Sequence, residues 1–220
     1  MFKGIIFDLD GTLLNTIDDI ADCCNSALIK NGFPPYSVEE YKHMVGNGVR
    51  RLIERAIPIE VDAGTIDKVH YDFNELYKKN FLVKTAPYHG IDEMIRDLKE
   101  MGIKLGVLSN KPHMFTSEMV ELMFPDKPFD VVSGQRDSIP PKPAPDGPLM
   151  ELKVMGLTAD ESLYAGDSDV DIMTAKSSGM HSVGCTWGFR GERELRESGA
   201  EFIVNSPSEI TEIVRRSLDR

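Results

Sequence analysis

Apolar residues follow two rhythms along this chain. Short, mostly apolar runs at residues 4–7, 104–108, 131–133, 163–165, 182–184 and 202–204 have the length of strands. Longer segments between them repeat apolar positions every three or four residues, as one face of a helix does. Ile91, Met94, Ile95, Leu98 and Met101 form such a stripe, stopped by Gly102, a residue suited to a helix end. The final segment opens on a capping box, with Ser206 before the helix, Pro207 in its first position and Glu209 three residues after the cap. Ile210, Ile213, Val214 and Leu218 then make its buried face. Strands alternating with helices predict an α/β fold, a doubly wound parallel sheet with helices on both faces.

The alternation breaks once. The first strand ends near Asp8 and the next begins near Lys104, whereas a single crossover takes about 30 residues, so roughly 65 are surplus. They carry helical stripes: Ile17, Ile20, Ala21, Cys24, Ala27 and Leu28 in one, and Val49, Leu52, Ile53, Ala56 and Ile57 in another. The expected organisation is a discontinuous core, residues 1–14 and 83–220, and an inserted helical domain, residues 15–82. Insertions this long in α/β domains are commonly lids or caps.

Composition narrows the function classes. The net charge of -11 opposes a nucleic-acid partner, which would need a basic footprint. A small phosphorylated ligand stays open, because a few local cations and a metal can outweigh a distant field. No apolar stretch approaches the ~20 residues of a membrane span, so no membrane partner is expected. Met1 to Phe7 lacks the basic flank and cleavage site of a signal peptide. Cys23, Cys24 and Cys185 lack metal-ligand spacing and read as reduced core thiols of a cytoplasmic protein.

Chemistry gathers at strand ends, where open α/β sheets carry their reactive sites. The first strand runs into Asp8-Leu9-Asp10-Gly11-Thr12. An Asp-Gly pair alone is ordinary turn chemistry; two carboxylates followed by Gly-Thr ask for more. The run at 163–165 leads into Gly166-Asp167-Ser168-Asp169-Val170-Asp171, where acids this close repel unless a cation sits among them. Helix capping can absorb Ser168 and Asp169, which leaves Asp167 and Asp171. Oxygen-only ligands of this kind suit Mg2+. Ser109-Asn110-Lys111 ends a further strand, and Lys142 follows Pro140-Pro141. A hydroxyl and an ammonium so placed can hold a phosphoryl group.

Taken together, Asp8-x-Asp10-x-Thr12, Ser109, Lys142 and Gly166-Asp167-x-x-x-Asp171 resemble the four motifs of the haloacid dehalogenase superfamily in order and spacing, over the whole chain. The insertion looks like that superfamily's helical C1 cap. Val45-Gly46-Asn47-Gly48, Arg55-Ala56, Ser109-Asn110-Lys111-Pro112 and the segment from Gly184 to Gly188 look like its phosphoglycolate phosphatase group. The resemblance implies a Mg2+-dependent phosphatase acting on a small phosphorylated metabolite. Asp8 would be its nucleophile and Asp10 its acid and base. Thr12, Ser109, Asn110 and Lys142 would bind phosphate, while Asp8, Asp10 and Asp167 would bind metal with Asp171 behind them. One position departs from the pattern: Asn15-Thr16 stands where the family usually has Asp-Ser, which removes a negative charge at the cap hinge.

Specificity would come from the insertion. Gly46, Asn47 and Gly48 read equally as a ligand-binding loop or an interhelical turn. Arg50, Arg51 and Arg55 can form a fork for a substrate carboxylate, as 2-phosphoglycolate would require, or a solvated helix face. Trp187, Gly188 and Arg190 follow a strand and can border the site or pack. A sugar phosphomutase of the same fold would share every core motif. A receiver domain needs only roughly 120 residues and no cap, and a non-catalytic interaction protein would have no use for intact acids.

Overall fold

The structure is a computed structural model that describes residues 1–218. In chain order its elements are β1 (Gly4–Phe7), β2 (Leu14–Asn15), α1 (Ile17–Lys30), α2 (Val38–Met44), α3 (Val49–Ala56), α4 (Ala63–Asn80), β3 (Ala86–Pro87) and α5 (Ile91–Glu100). They continue with β4 (Lys104–Pro112), α6 (His113–Met123), β5 (Val131–Gln135), α7 (Asp146–Met155), β6 (Ser162–Gly166), α8 (Asp169–Ser178), β7 (His181–Cys185), α9 (Glu192–Glu197), β8 (Phe202–Val204) and α10 (Pro207–Leu218). The chain divides into two compact units, Met1–Leu14 with Pro87–Arg220, and Asn15–Ala86.

The first unit is built on a six-stranded sheet in the order β5-β4-β1-β6-β7-β8, parallel throughout. Every residue of β1 is buried, as expected of a central strand covered on both faces. From β1 the chain builds β4 and β5 to one side, then returns to lay β6, β7 and β8 on the other. This reversal puts the carboxyl ends of β1, β4 and β6 beside one another, the crevice where such sheets bind ligands. Ile6, Leu108, Leu152, Met155, Tyr164, Ala175 and Met180 form one apolar cluster, in which each Ile, Leu or Met side chain is worth about 1.5–3 kcal/mol when fully buried. In α5 the expected stripe is the buried face, Ile91, Met94, Ile95 and Leu98. At α10 the Ser206 hydroxyl meets the Glu209 carboxylate at 3.3 Å.

The second unit is helical. Helix α1 packs on α4, and α3 on both α2 and α4. Ser37 and Glu40 close a capping box on α2. Asp72, buried in α4, accepts from Lys30 Nζ at 2.7 Å and Asn31 Nδ2 at 2.8 Å, which pins the end of α1. The unit runs past residue 82 to Ala86 for a local reason. Buried Asp19 accepts from the amides of Lys84 and Thr85 and from the Thr85 hydroxyl, at 2.8 to 3.0 Å, so this segment is tied to α1.

Candidate active site

Asp8 is the first residue past β1, and its amide makes a final ladder bond to Ala165 O at 2.9 Å. The chain then turns tightly, with the amides of Thr12, Leu13 and Leu14 all directed at Leu9 O. Gly11 has φ +89°, and a Cβ there would fall 2.5 Å from Asp167 Oδ2. Glycine is required twice, by conformation and by the carboxylate pressed against it.

Asp167 leaves β6 on the opposite side of the crevice. Its Oδ2 accepts from the Phe189 amide at 2.6 Å and its Oδ1 from the Thr12 hydroxyl at 3.4 Å. Gly188 packs against it too closely for any Cβ. Capping of α8 falls differently from expectation. Ser168 is the N-cap, but its capping-box partner is Asp171, whose Oδ2 takes the Ser168 amide at 3.1 Å and hydroxyl at 2.7 Å. Asp171 therefore caps the helix with one oxygen and presents the other to the site.

Lys142 lies between the two sides. Its Nζ is 2.8 Å from Asp8 Oδ1 and 2.8 Å from Asp171 Oδ1, and 5.6 Å from the centre of the Tyr164 ring. Both ends of the Asn110 amide are engaged by the Lys142 main chain, at 2.8 and 3.1 Å. In this geometry Asn110 fixes the lysine's loop. Burial pushes the Asp8 carboxyl up to about 7 against the pull of Lys142, with Asp171 and Asp10 adding repulsion. Burial first, then repulsion from Asp171 and Asp8, raises Asp167 well above the carboxylate range, opposed by the Phe189 amide. Burial works against the Lys142 ammonium, yet Asp171 and Asp8 outweigh it and hold its pKa well above the usual value.

Asp8, Asp167 and Asp171 each offer an oxygen within 4.8 Å of the others, all buried. Three hard donors in one pocket, two of them hard to ionise unaided, fit a small divalent cation. Asp10 has a different partner: Lys111 Nζ reaches its two carboxylate oxygens at 2.8 and 3.1 Å. The Lys111 amide also donates to Ser109 Oγ at 3.2 Å. Sequence reasoning missed Lys111 as a site residue, although it directly follows Ser109-Asn110. It also missed Phe189, for which the position after β7, next to Gly188, was the available signal. Trp187 Nε1 donates to Thr12 O at 3.0 Å, which fastens that loop to the first.

The remaining expected residues belong to the helical unit. Gly46, Asn47 and Gly48 link α2 to α3, with φ +119° at Gly46 and +85° at Gly48. Arg55 donates to Met44 O at 2.7 Å and to Asn47 Oδ1 at 2.6 Å, which braces the loop. Arg51 pairs with Glu54 at 2.7 Å, and Arg50 with Asp67 at 2.6 Å.

Comparison with known proteins agrees with this architecture. The family model of haloacid dehalogenase-like hydrolases matches residues 5–185. A phosphoglycolate phosphatase of Psychrobacter arcticus is 33% identical over 201 residues, 88% of this chain and 87% of that protein. One from Pseudomonas putida is 30% identical over 91% of this chain and 75% of its own. A solved structure from Lactobacillus delbrueckii subsp. bulgaricus superposes with TM-score 0.93 at 33% identity, covering 97% of this chain and 98% of its own. Its assignment as a phosphoglycolate phosphatase is itself an inference.

Proposed function

Since the chain belongs to the haloacid dehalogenase-like hydrolases, we propose that it is a Mg2+-dependent phosphatase of small phosphate monoesters, with 2-phosphoglycolate as its substrate, working through a phosphoaspartate at Asp8. The observation that carries this reading is the meeting of Asp8, Asp167 and Asp171 with the Lys142 ammonium in one buried cluster. A carboxylate 2.8 Å from a fixed ammonium is poised to exchange that partner for a phosphoryl group.

In the first step an Asp8 oxygen attacks phosphorus, the ester P–O bond breaks, and Asp10 gives its proton to the departing alkoxide. In the second, Asp10 takes a proton from water as that water attacks the acyl phosphate, releasing phosphate and restoring both carboxyls. Lys142 and Ser109 hold the phosphoryl oxygens throughout, with Asn110 keeping Lys142 in place and Thr12 steadying Asp167. Asp8, Asp167 and the Asp10 main-chain carbonyl would hold Mg2+, with Asp171 behind them. The bound ion supplies positive charge that keeps Asp8 ionised and balances the phosphoryl group. The names of the Psychrobacter and Pseudomonas relatives support 2-phosphoglycolate.

Free phosphate released from a panel of small phosphate esters tests the reading, with 2-phosphoglycolate and a hexose phosphate among them. Turnover of 2-phosphoglycolate should stop on chelation and return with Mg2+. Undiminished turnover in the chelated protein, or transfer of phosphate to a sugar in place of water, would refute it.

A further inference from the structure

Residues 187–189 take no part in the proposed reaction, yet they close a ring of hydrogen bonds through one of its metal ligands. Trp187 Nε1 donates to Thr12 O at 3.0 Å, and the Thr12 hydroxyl donates to Asp167 Oδ1 at 3.4 Å. The Phe189 amide donates to Asp167 Oδ2 at 2.6 Å, and the main chain from Trp187 to Phe189 completes the circuit. The ring joins residues that follow β1, β6 and β7. Gly188, midway along the closing segment, is pressed on two parts of it at once. A Cβ there would stand 2.4 Å from Gly11 O and 2.2 Å from Asp167 Cβ.

We propose that Trp187 is a positioning residue for the metal: its indole N–H closes the ring that holds the Asp167 carboxylate, and the turn carrying Asp10, in the orientation that receives Mg2+. The inference rests on the metal-dependent reading above. Asp167 is buried, and Asp171 and Asp8 repel its charge. The last torsion of an aspartate is soft, so repulsion would turn an unrestrained carboxylate away from its neighbours. A donor on each oxygen fixes its plane, the Phe189 amide on one and the Thr12 hydroxyl on the other. The Thr12 hydroxyl is only as well placed as its own backbone. That backbone lies in a turn whose amides, from Thr12 to Leu14, converge on the single oxygen of Leu9. Trp187 supplies a second anchor, 175 positions along the chain. Partners that orient a metal ligand without touching the metal set its affinity. In a closed ring they also act together: one cut link leaves the others without their fixed geometry, so a second cut costs little.

The test is isothermal titration calorimetry of Mg2+ into the chelator-stripped protein. Trp187→Phe keeps an aromatic ring in place and removes the donor, and it should raise the Kd for Mg2+ about tenfold. Thr12→Val cuts the ring at the Asp167 side and should raise it about ten- to hundredfold. The two together should add no more than about twofold to the larger single effect. Thr186 is the control: it precedes Trp187 but donates to Asn205 Oδ1 at 2.9 Å, outside the ring, so Thr186→Val should leave the Kd within about twofold. A substitution that lowered only the stability of the fold would not move the Kd of the folded protein. An unchanged Kd in Trp187→Phe, effects that simply add, or an equal rise in Thr186→Val would each overturn the inference. Should Trp187→Phe fail to fold, wild type decides. Trp187 is the only tryptophan, so its emission should change with Mg2+ along the same curve as the heat, and emission that ignores bound Mg2+ overturns the inference. A wild type that takes up no Mg2+ refutes the metal-dependent reading, and the inference falls with it. Uptake that is equal in wild type and Trp187→Phe removes the inference alone.

Discussion

Asp8 and Asp10 share one turn but have different neighbours, and the neighbours distinguish their proposed roles. Asp8 lies on Lys142, among the acids that can hold a cation; Asp10 lies on Lys111. Asp8→Asn should therefore reduce hydrolysis of every ester by more than about 10³-fold, since an amide forms no acyl phosphate, while circular dichroism shows the fold retained. Asp10→Asn should separate substrates by leaving group. An alkoxide needs a proton in the transition state, whereas p-nitrophenolate departs without one, and general acid catalysis is worth about 10²–10⁴-fold. Stopped-flow of Asp10→Asn with p-nitrophenyl phosphate should show a burst stoichiometric with enzyme and then a slow steady state, because the base of the second step is missing. An alkyl ester should show no burst. Equal pre-steady-state losses for the two esters would remove Asp10 from proton transfer. At this scale the sequence was informative wherever a polar residue follows directly on an apolar run, as at Asp8, Ser109 and Asp167. It was silent where the meaning of a residue is its partner: Lys111 and Asp10 are 101 positions apart, and no local pattern joins them.

Among elements, the strands were legible because buried parallel strands are apolar on both faces, though their ends were not. β4 continues through Lys111 to Pro112, since polar residues at its carboxyl end are held by the site and not by the core. Helix α4 shows the opposite failure. It is the 18-residue helix of the second unit, yet its buried face includes Asp72 among Val69, Phe73 and Tyr77, and a buried carboxylate breaks the apolar stripe that periodicity looks for. Helix α7 carries a second such residue. Glu151 is fully buried, and Gly106 on β4 leaves the room it occupies, since a Cβ there would lie 2.6 Å from Glu151 Oε2. Among the described residues neither of its carboxyl oxygens accepts a hydrogen bond of good geometry. Burial raises its pKa well above 4.5, and Ser133 and Lys142 offset this only in part. A carboxyl protonated when folded and ionised when unfolded destabilises the fold as pH rises above its unfolded value, by about 1.4 kcal/mol per pH unit until the folded pKa is passed. Glu151→Gln keeps the shape and removes the titration. Its stability should equal wild type near pH 4, exceed it at neutral pH, and vary less with pH in urea melts. A parallel loss of stability in both proteins would mean that Glu151 is ionised and paired.

For the molecule as a whole, the two-unit organisation was legible because about 65 residues exceed what one crossover can use. The energetic consequence of the acid cluster was not legible, because it depends on how deeply the cluster is buried. Asp8 and Asp167 are both harder to ionise folded than unfolded, so the folded chain binds more protons than the unfolded one. Their contribution to stability is complete below the unfolded value of 3.8 and is lost as pH rises, through about 7 for Asp8, with a loss of the same sign from Asp167. The metal-stripped protein should thus become less stable as pH rises from about 4 through about 7. A cation bound among these carboxylates holds them ionised in the folded state and is released on unfolding. Mg2+ should raise the thermal midpoint most at the alkaline end, where the unpaired charges cost most; a hundredfold excess over its Kd adds about 2.7 kcal/mol of stability. Asp167→Asn removes one of the repelling charges and one ligand together. It should be more stable than stripped wild type at pH 8 and should gain little from Mg2+. Glu151 contributes a slope of the same sign that Mg2+ leaves untouched, so Glu151→Gln is the background in which to measure the cluster alone. Scanning calorimetry of Glu151→Gln and of Glu151→Gln with Asp167→Asn, at pH 5 and 8 with and without Mg2+, makes the comparison. If Mg2+ raises the midpoint equally at both pH values, or equally in both proteins, the cluster neither titrates as described nor holds the ion.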